Sequence, residues 1–142
     1  MAGLGFSILR HLRYPRGMDI DLTDFSDLQR RALFDLLILA MYADGHLTTV
    51  EDEQLQELLK AMGHSEESDR QREFDAAVTR MRPAVQSIVK AKDQAILLAS
   101  AFTARAQQKL VYEAVHKMMT SDNNVSTWEN TLLTELGSVF RM

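Results

Sequence analysis

The chain has 142 residues, 46% of them hydrophobic and 25% charged, a composition typical of one folded domain rather than of a disordered chain. It contains no cysteine, which excludes disulfides, thiolate metal sites and cysteine nucleophiles and fits a cytoplasmic setting. The formal net charge is −4, and residues 1–17 carry three arginines and no acid, so the body of the chain is acidic and nucleic acid is not expected as a partner.

Residues 1–23 form a basic N-terminal segment that we expect to be poorly ordered. The stretch lacks the long apolar core and the cleavage site of a secretion signal, and Met18 is a candidate for the true start. A membrane-surface or partner-binding arm is the alternative interpretation. No apolar stretch reaches membrane-spanning length, so we expect no membrane insertion.

Residues 24–142 are predicted to form a single all-α domain, a helical bundle of about six or seven helices. Glycine and proline are scarce, and no useful stretch alternates at period two as a strand would. The first predicted helix runs from Asp24 or Ser26 to Ala43. Its second half is apolar nearly all the way round, which indicates burial on several sides.

A second predicted helix begins at Thr48 or the next residue and ends before Gly63, which suits a left-handed C-cap. A third begins near Ser65 with acidic residues in its first turn, where the helix dipole favours them. Pro83 ends or bends this helix, because proline disfavours helical geometry in the residue before it.

Two shorter helices, 84–91 and 93–102, or one kinked helix are predicted next. Arg105–Thr120 is an amphipathic helix with apolar residues at the i, i+1, i+4, i+5 spacing. After a polar turn at 121–124, a last helix carries apolar positions up to Phe140.

Two stretches of the chain repeat one pattern of helix, acidic turn and helix, with Asp44 of the first stretch matching Asp122 of the second. On both sides of the turn, apolar positions, a pair of hydroxyl residues and a later glutamate coincide. The matched pairs include Leu33 with Val111, Leu37 with Val115, Leu47 with Val125, Glu51 with Glu129, and Leu55 with Leu133. We therefore predict an internal pseudo-twofold repeat of two helix–acidic turn–helix units.

Each acidic turn is similar to the later half of an EF-hand calcium loop, with an aliphatic residue two places after Gly45 or Asn123 and a glutamate six places after it. Two positions in the first half of such a loop that should be acidic are Ala40 and Tyr42 in one copy and Met118 and Thr120 in the other, which leaves one carboxylate and one glutamate in each. A calcium site at either turn would therefore need ligands from the other turn or from water to complete its coordination.

The same residues also have a purely structural interpretation. Thr48 with Glu51, and Ser126 with Glu129, are spaced as capping boxes, in which a hydroxyl and a carboxylate satisfy the free amides of a helix start. The acidic run of residues 51–57 is likewise either a solvated face or an electrostatic partner surface.

No catalytic motif can be assembled from the sequence. It has no glycine-rich phosphate loop, no Gly-x-Ser-x-Gly and no His-Glu-x-x-His, and its four histidines stand far apart. We therefore expect a protein that is not an enzyme. The alternatives are a metal-dependent enzyme that uses the first acidic turn, or a structural subunit that docks a basic partner through its acidic helix face.

The motif around the first turn resembles the tellurite-resistance TerB-like family. An apolar helix ends in Ala43-Asp44-Gly45, and Leu47, Thr48 and Glu51 open an amphipathic helix. A second, degenerate copy follows at 121–129. The resemblance covers about Leu28 to Phe140. The second copy departs from the family pattern at Ser121, where alanine is common, and at Asn123, where glycine is common, so the first turn is the better candidate site.

The resemblance implies a helical bundle with internal pseudo-symmetry and a role in bacterial tellurite and stress responses. Related domains serve as modules in larger proteins, including membrane-anchored DnaJ-like co-chaperones. Divalent metal, especially calcium, is linked to the acidic turns of some members, and the matching positions are Asp44, Glu51, Asp122 and Glu129. By this resemblance we expect an interaction or scaffold module with a protein partner, or with a second copy of this chain as a homodimer.

Overall fold

The computed structural model describes residues 21–44, 49–119 and 127–142, with the backbone alone at 43, 44 and 49–51. Within these ranges the chain forms six α-helices, one 3₁₀ helix and no strand. The helices are α1 (Asp27–Asp44), α2 (Thr49–Ala61), α3 (Glu67–Met81), α4 (Ile88–Ala99), α5 (Arg105–Met119) and α6 (Thr127–Phe140). The predicted all-α bundle of six or seven helices is confirmed.

The first 20 residues of the predicted N-terminal segment lie outside the described residues. At the end of that segment, Leu22 is buried, and Phe25 packs its ring against Phe102 with 5.8 Å between the centroids. The described core therefore begins slightly before the predicted domain boundary at residue 24.

Helix α1 is the centre of the bundle. Every residue from Ala32 to Met41 is buried, and α1 contacts each of the other five α-helices. The burial follows from the sequence, because this stretch carries an apolar side chain at every position but one and so has no face that prefers water. The predicted burial of this helix on several sides is confirmed.

The one polar residue in this stretch, Asp35, is held by a two-point ion pair with Arg80 of α3. Arg80 Nη2 donates to Asp35 Oδ1 at 2.8 Å, and Arg80 Nε donates to Oδ2 at 3.1 Å. The Asp35 side chain is 5% exposed, whereas that of Arg80 is 34% exposed. A buried carboxylate is stable only with a charged, hydrogen-bonding partner, so this pair selects the face of α3 that lies against α1.

Helix α1 begins with a reciprocal cap. The backbone amide of Ser26 donates to Gln29 Oε1 at 2.9 Å, and the amide of Gln29 donates to Ser26 Oγ at 3.1 Å. This is the geometry of a capping box with glutamine in its last position. It identifies Ser26, one of the two predicted starting points, as the residue that caps α1.

Gln29 also joins the start of α1 to the start of α5. The side-chain amides of Gln29 and Gln107 donate to each other's oxygen, at 3.1 and 3.2 Å. In addition, Gln29 Nε2 donates to the Ala101 carbonyl and Gln107 Nε2 donates to the Asp24 carbonyl, each at 2.9 Å. The pair therefore ties together two helix starts and the two segments that precede them.

The two glutamines are 78 residues apart, which is the displacement of the predicted repeat. The helices that flank the two acidic turns begin at the same displacement, α1 and α5 at Asp27 and Arg105, and α2 and α6 at Thr49 and Thr127. The twofold relation of the halves stays a prediction, since both turns contain residues outside the described ranges.

The predicted break near Lys92 is wrong, because α4 is continuous through this residue. The 3₁₀ helix Arg82–Gln86 precedes α4 and has the proline in its first turn. Ser87 is extended, at φ −154°, and its Oγ accepts a hydrogen bond from the Lys90 amide at 3.1 Å. Ser87 thus caps α4, and the chain changes direction at this serine rather than five residues later.

Helix α2 ends at a left-handed glycine, as predicted. Gly63 has φ +104°, its amide donates to the Lys60 carbonyl, and the His64 amide donates to the Leu59 carbonyl, each at 3.0 Å. These two bonds form a Schellman motif. Arg70 of α3 secures the turn, because its guanidinium donates to two carbonyls that follow the glycine.

Helix α4 carries apolar side chains on its outer face. Val89, Ile96 and Leu97 are exposed, and their spacing along the helix places them on one side. No helix within the described ranges is long and apolar enough to cross a membrane.

We expect Arg80→Met to destabilise the fold by about 3 kcal/mol, because the buried Asp35 carboxylate loses its charged partner. The double variant Asp35→Leu/Arg80→Met should recover most of this loss, since an apolar pair of similar volume needs no hydrogen bond. Urea unfolding measures both values. Arg72→Met is the control, because it breaks only an exposed pair with Asp69. Equal losses in the single and double variants would contradict the role of the pair.

Two glycine-to-alanine variants should change stability in opposite directions. Gly63→Ala is expected to destabilise by about 1–2 kcal/mol, because alanine is strained in the left-handed region. Gly137 lies inside α6, and a Cβ there would meet Tyr112 at an ordinary 3.7 Å. Gly137→Ala should therefore stabilise by roughly 0.5–1 kcal/mol. Thermal melts of both variants provide the measurement, and shifts of the same sign would refute this assignment.

Candidate functional site

The first acidic turn lies between the end of α1 and the start of α2. Asp44 is the last residue of α1 and Glu51 is the third residue of α2, so the two predicted ligands stand on either side of residues 45–48. The side chains of both lie outside the described residues. The cation site predicted here stays a prediction.

The second acidic turn has one described candidate ligand. Asp122 lies outside the described residues, whereas Glu129 is the third residue of α6 and its side chain is fully buried. This is the position of the glutamate in a capping box, and the positive end of the helix dipole favours a carboxylate there. Burial at this position agrees better with the structural interpretation of Glu129 than with a ligand open to solvent.

Among the described side chains, no three of His, Asp or Glu come together in a way that could hold a metal ion. Glu129 is thus at most one ligand of a site that residues 120–126 would have to complete. A cation site at either turn, with Asp44 and Glu51 or with Asp122 and Glu129 as its carboxylates, stays a prediction.

The predicted acidic face of α2 is partly solvated. Glu53 is exposed, whereas Asp52 and Glu57 are half-buried. Glu57 pairs with Lys60 at 3.4 Å on the same helix. An exposed pair of this kind contributes less than about 1 kcal/mol to stability. The single lysine balances one of the three acids, so the face stays negative.

A cavity of about 330 Å³ opens between α1, the end of α2 and α3, and the sequence analysis missed it. Three arginines, Arg30, Arg31 and Arg80, line it together with the carboxylates of Asp27 and Glu73. Its volume lies at the lower end of the range for small-molecule sites. We call it the arginine cavity.

The lining of the arginine cavity also includes apolar side chains. Phe34 of α1 and Leu59 of α2 are buried beneath it, and Met62 is half-buried at its side. His64, which the Schellman motif of α2 positions, lies at the same opening. The lining of this cavity therefore combines hydrocarbon with charged groups.

Two of the three arginines are engaged within the protein. Arg80 holds Asp35, as described above. Arg30 Nη2 donates to the Leu22 carbonyl at 3.0 Å, and its Nη1 lies 3.8 Å from the carboxylate of Asp27, which is fully exposed. These contacts position both guanidinium groups, and the Arg30–Asp27 pair adds little energy because it is open to solvent.

Arg31 and Glu73 differ from these residues. Both line the arginine cavity, yet within the described part of the chain neither side chain makes a hydrogen bond or an ion pair. Their charged ends are more than 4.0 Å apart. Arg31 is exposed and Glu73 is half-buried, so the cavity holds one cationic and one anionic group that no protein group neutralises within the described chain.

The sequence contains no signal that could have revealed this cavity. Arg30, Arg31 and Phe34 lie on one face of α1, and Glu73 and Arg80 are two turns apart on α3. Taken alone, the residues on α1 and those on α3 are each typical of the polar face of an amphipathic helix. Only the Asp35–Arg80 pair, which crosses 45 residues of sequence, brings the two faces together.

A second, shallower groove of about 500 Å³ lies between α5 and α6. The rings of Tyr112 and His116 stack along it with 6.2 Å between their centroids, and Gly137 leaves room for the tyrosine. No side chain in its lining is a carboxylate, lysine or arginine. It therefore offers less chemical specificity than the arginine cavity.

Comparison with known proteins finds no matching family model, no matching curated protein and no matching solved structure.

Proposed function

We propose that this chain is a non-enzymatic, TerB-like module that acts in the bacterial cytoplasm by binding. In this proposal the first acidic turn binds a divalent cation, calcium foremost. The module also binds a protein partner in a tellurite or stress response. The motif at residues 43–51 motivates the proposal. The observation that supports it most is the arrangement of Asp44 and Glu51 at the facing ends of two successive helices.

The electrostatics of α1 favour a cation at its end. The last turn of an α-helix has carbonyl groups without helical partners, and the helix dipole is negative there. Helix α1 has no basic residue in its last turn and ends on the acid Asp44. A hard cation, which takes carboxylate and carbonyl oxygens together, would relieve the repulsion between these groups.

The second part of the same proposal is the protein partner. The acidic face of α2 favours a partner whose docking surface is basic. Glu53 is exposed on this face, and the whole chain carries a net charge of −4. An association that depends on such a face should weaken as salt is raised, because exposed charges are screened within about 10 Å at 0.1 M salt. A pull-down that is unchanged at high salt would exclude an electrostatic docking face.

Calorimetric titration with calcium, magnesium and manganese tests the cation site. At a concentration about 100 times the dissociation constant, a cation that binds only the native state raises the free energy of unfolding by about 2.7 kcal/mol. We expect Asp44→Asn/Glu51→Gln to abolish both the heat of binding and the rise in melting temperature. The control Asp52→Asn/Glu53→Gln removes the same amount of negative charge from the next two residues of α2 and should keep both.

Two results would overturn the cation site. The first is the absence of any heat or melting shift at millimolar metal in the unaltered chain. The second is binding that survives in the Asp44→Asn/Glu51→Gln variant, which would assign the cation to another part of the molecule.

A further inference from the structure

We propose that the arginine cavity binds a small zwitterion of amino-acid size whose side chain is apolar. The proposal does not depend on the cation site. Arg31 and Asp44 are thirteen residues apart on α1, which is about 20 Å along a helix axis. The two sites therefore lie at opposite ends of the central helix and can be tested separately.

The charges of the cavity call for a ligand with two opposite charges. Arg31 provides a guanidinium and Glu73 a carboxylate, and both line the cavity without a hydrogen-bond or ion-pair partner in the described chain. A carboxylate of the ligand would take the donors of Arg31, beside the guanidinium of Arg30. An ammonium group would take the carboxylate of Glu73. A simple anion would leave Glu73 unsatisfied and repelled, and a simple cation would do the same to the arginines.

Neighbouring contacts keep this polarity in place. Arg80 is occupied by the buried Asp35, so it does not swing over to neutralise Glu73. Arg30 is anchored on the Leu22 carbonyl. These contacts hold Arg30 and Arg80 in place, so neither of these two side chains loses much freedom when the ligand arrives.

The apolar part of the lining selects the side chain of the ligand. Phe34, Leu59 and Met62 are the apolar side chains of the lining, and Met62 is the one of the three that is half-buried rather than buried. Burying an aliphatic or thioether side chain against them is favourable by about 25 cal/mol per Å² of apolar surface removed from water. Methionine at the edge can adapt its shape to such a group. A cavity of about 330 Å³ limits the ligand to roughly one amino acid.

The test uses L-leucine, L-methionine and L-phenylalanine as probes, each titrated into the isotopically labelled full chain and followed by NMR chemical shifts. We expect saturable shifts for at least one of them at residues of α1 and α3, with a dissociation constant on the order of 1 mM. For the amino acid that binds best, the matched analogues without the ammonium group or without the carboxylate should bind about tenfold more weakly or worse. For L-leucine these analogues are 4-methylpentanoate and 3-methylbutylamine.

Two charge variants and two matched controls complete the test. Arg31→Gln and Glu73→Gln should each weaken binding about tenfold or more, because each removes a hydrogen bond to a charged group. Arg72→Gln and Glu113→Gln make the same changes on exposed positions outside the cavity and should leave binding unaltered. All four variants should keep the melting temperature of the parent, since they change surface side chains.

Three results would overturn the proposal: no saturable shift with any of the three amino acids, a deaminated or decarboxylated analogue that binds as tightly as its parent amino acid, or unchanged binding in both charge variants. Tight binding of the deaminated analogue would identify the cavity as a plain anion site instead. None of these results bears on the cation site, whose test uses metal ions and different variants.

Discussion

The enclosure of α1 is the constraint on which the rest of the structure depends. A helix that is apolar on every side has to be covered on every side, and the other five helices are arranged around it. Apolar burial alone would allow those helices to slide and rotate. The few polar contacts that reach α1 define the arrangement, with Asp35 selecting a face of α3 and Gln29 aligning the start of α5. Hydrophobic burial supplies most of the stability, and directional bonds select the packing.

The fold could be predicted largely because its signals are local. The apolar stretch in α1, the glycine after α2 and the amphipathic spacing of α5 each act within a few residues, and the structure bears them out. The continuous α4 was missed because a single capping bond at Ser87 decided where it begins. The buried side chain of Glu129 was equally hidden, since a glutamate in a first turn is usually solvated.

The residues of the two proposed sites were harder to predict than the fold, because a site depends on contacts between distant parts of the chain. Asp44 and Glu51 could be proposed from the sequence, since they belong to one short motif. Arg31 and Glu73 could not, since they come from different helices and neither stands in a recognisable motif. The two candidate sites use opposite ends of the same helix, one with oxygen ligands and one with a mixed-charge lining. The two proposed ligands would therefore not compete for space.

The enclosure of α1 also has a consequence for how the protein is made. During synthesis, the apolar stretch of α1 leaves the ribosome well before residues 127–140, which form the last helix that covers it. At about 5–20 residues per second, this interval lasts several seconds. Throughout that time the nascent chain exposes the apolar side chains of α1 to other molecules. Stable burial of α1 therefore comes late, after residues 127–140 have emerged, and a chain truncated before α6 would be a substrate for chaperones and proteases rather than a smaller working domain.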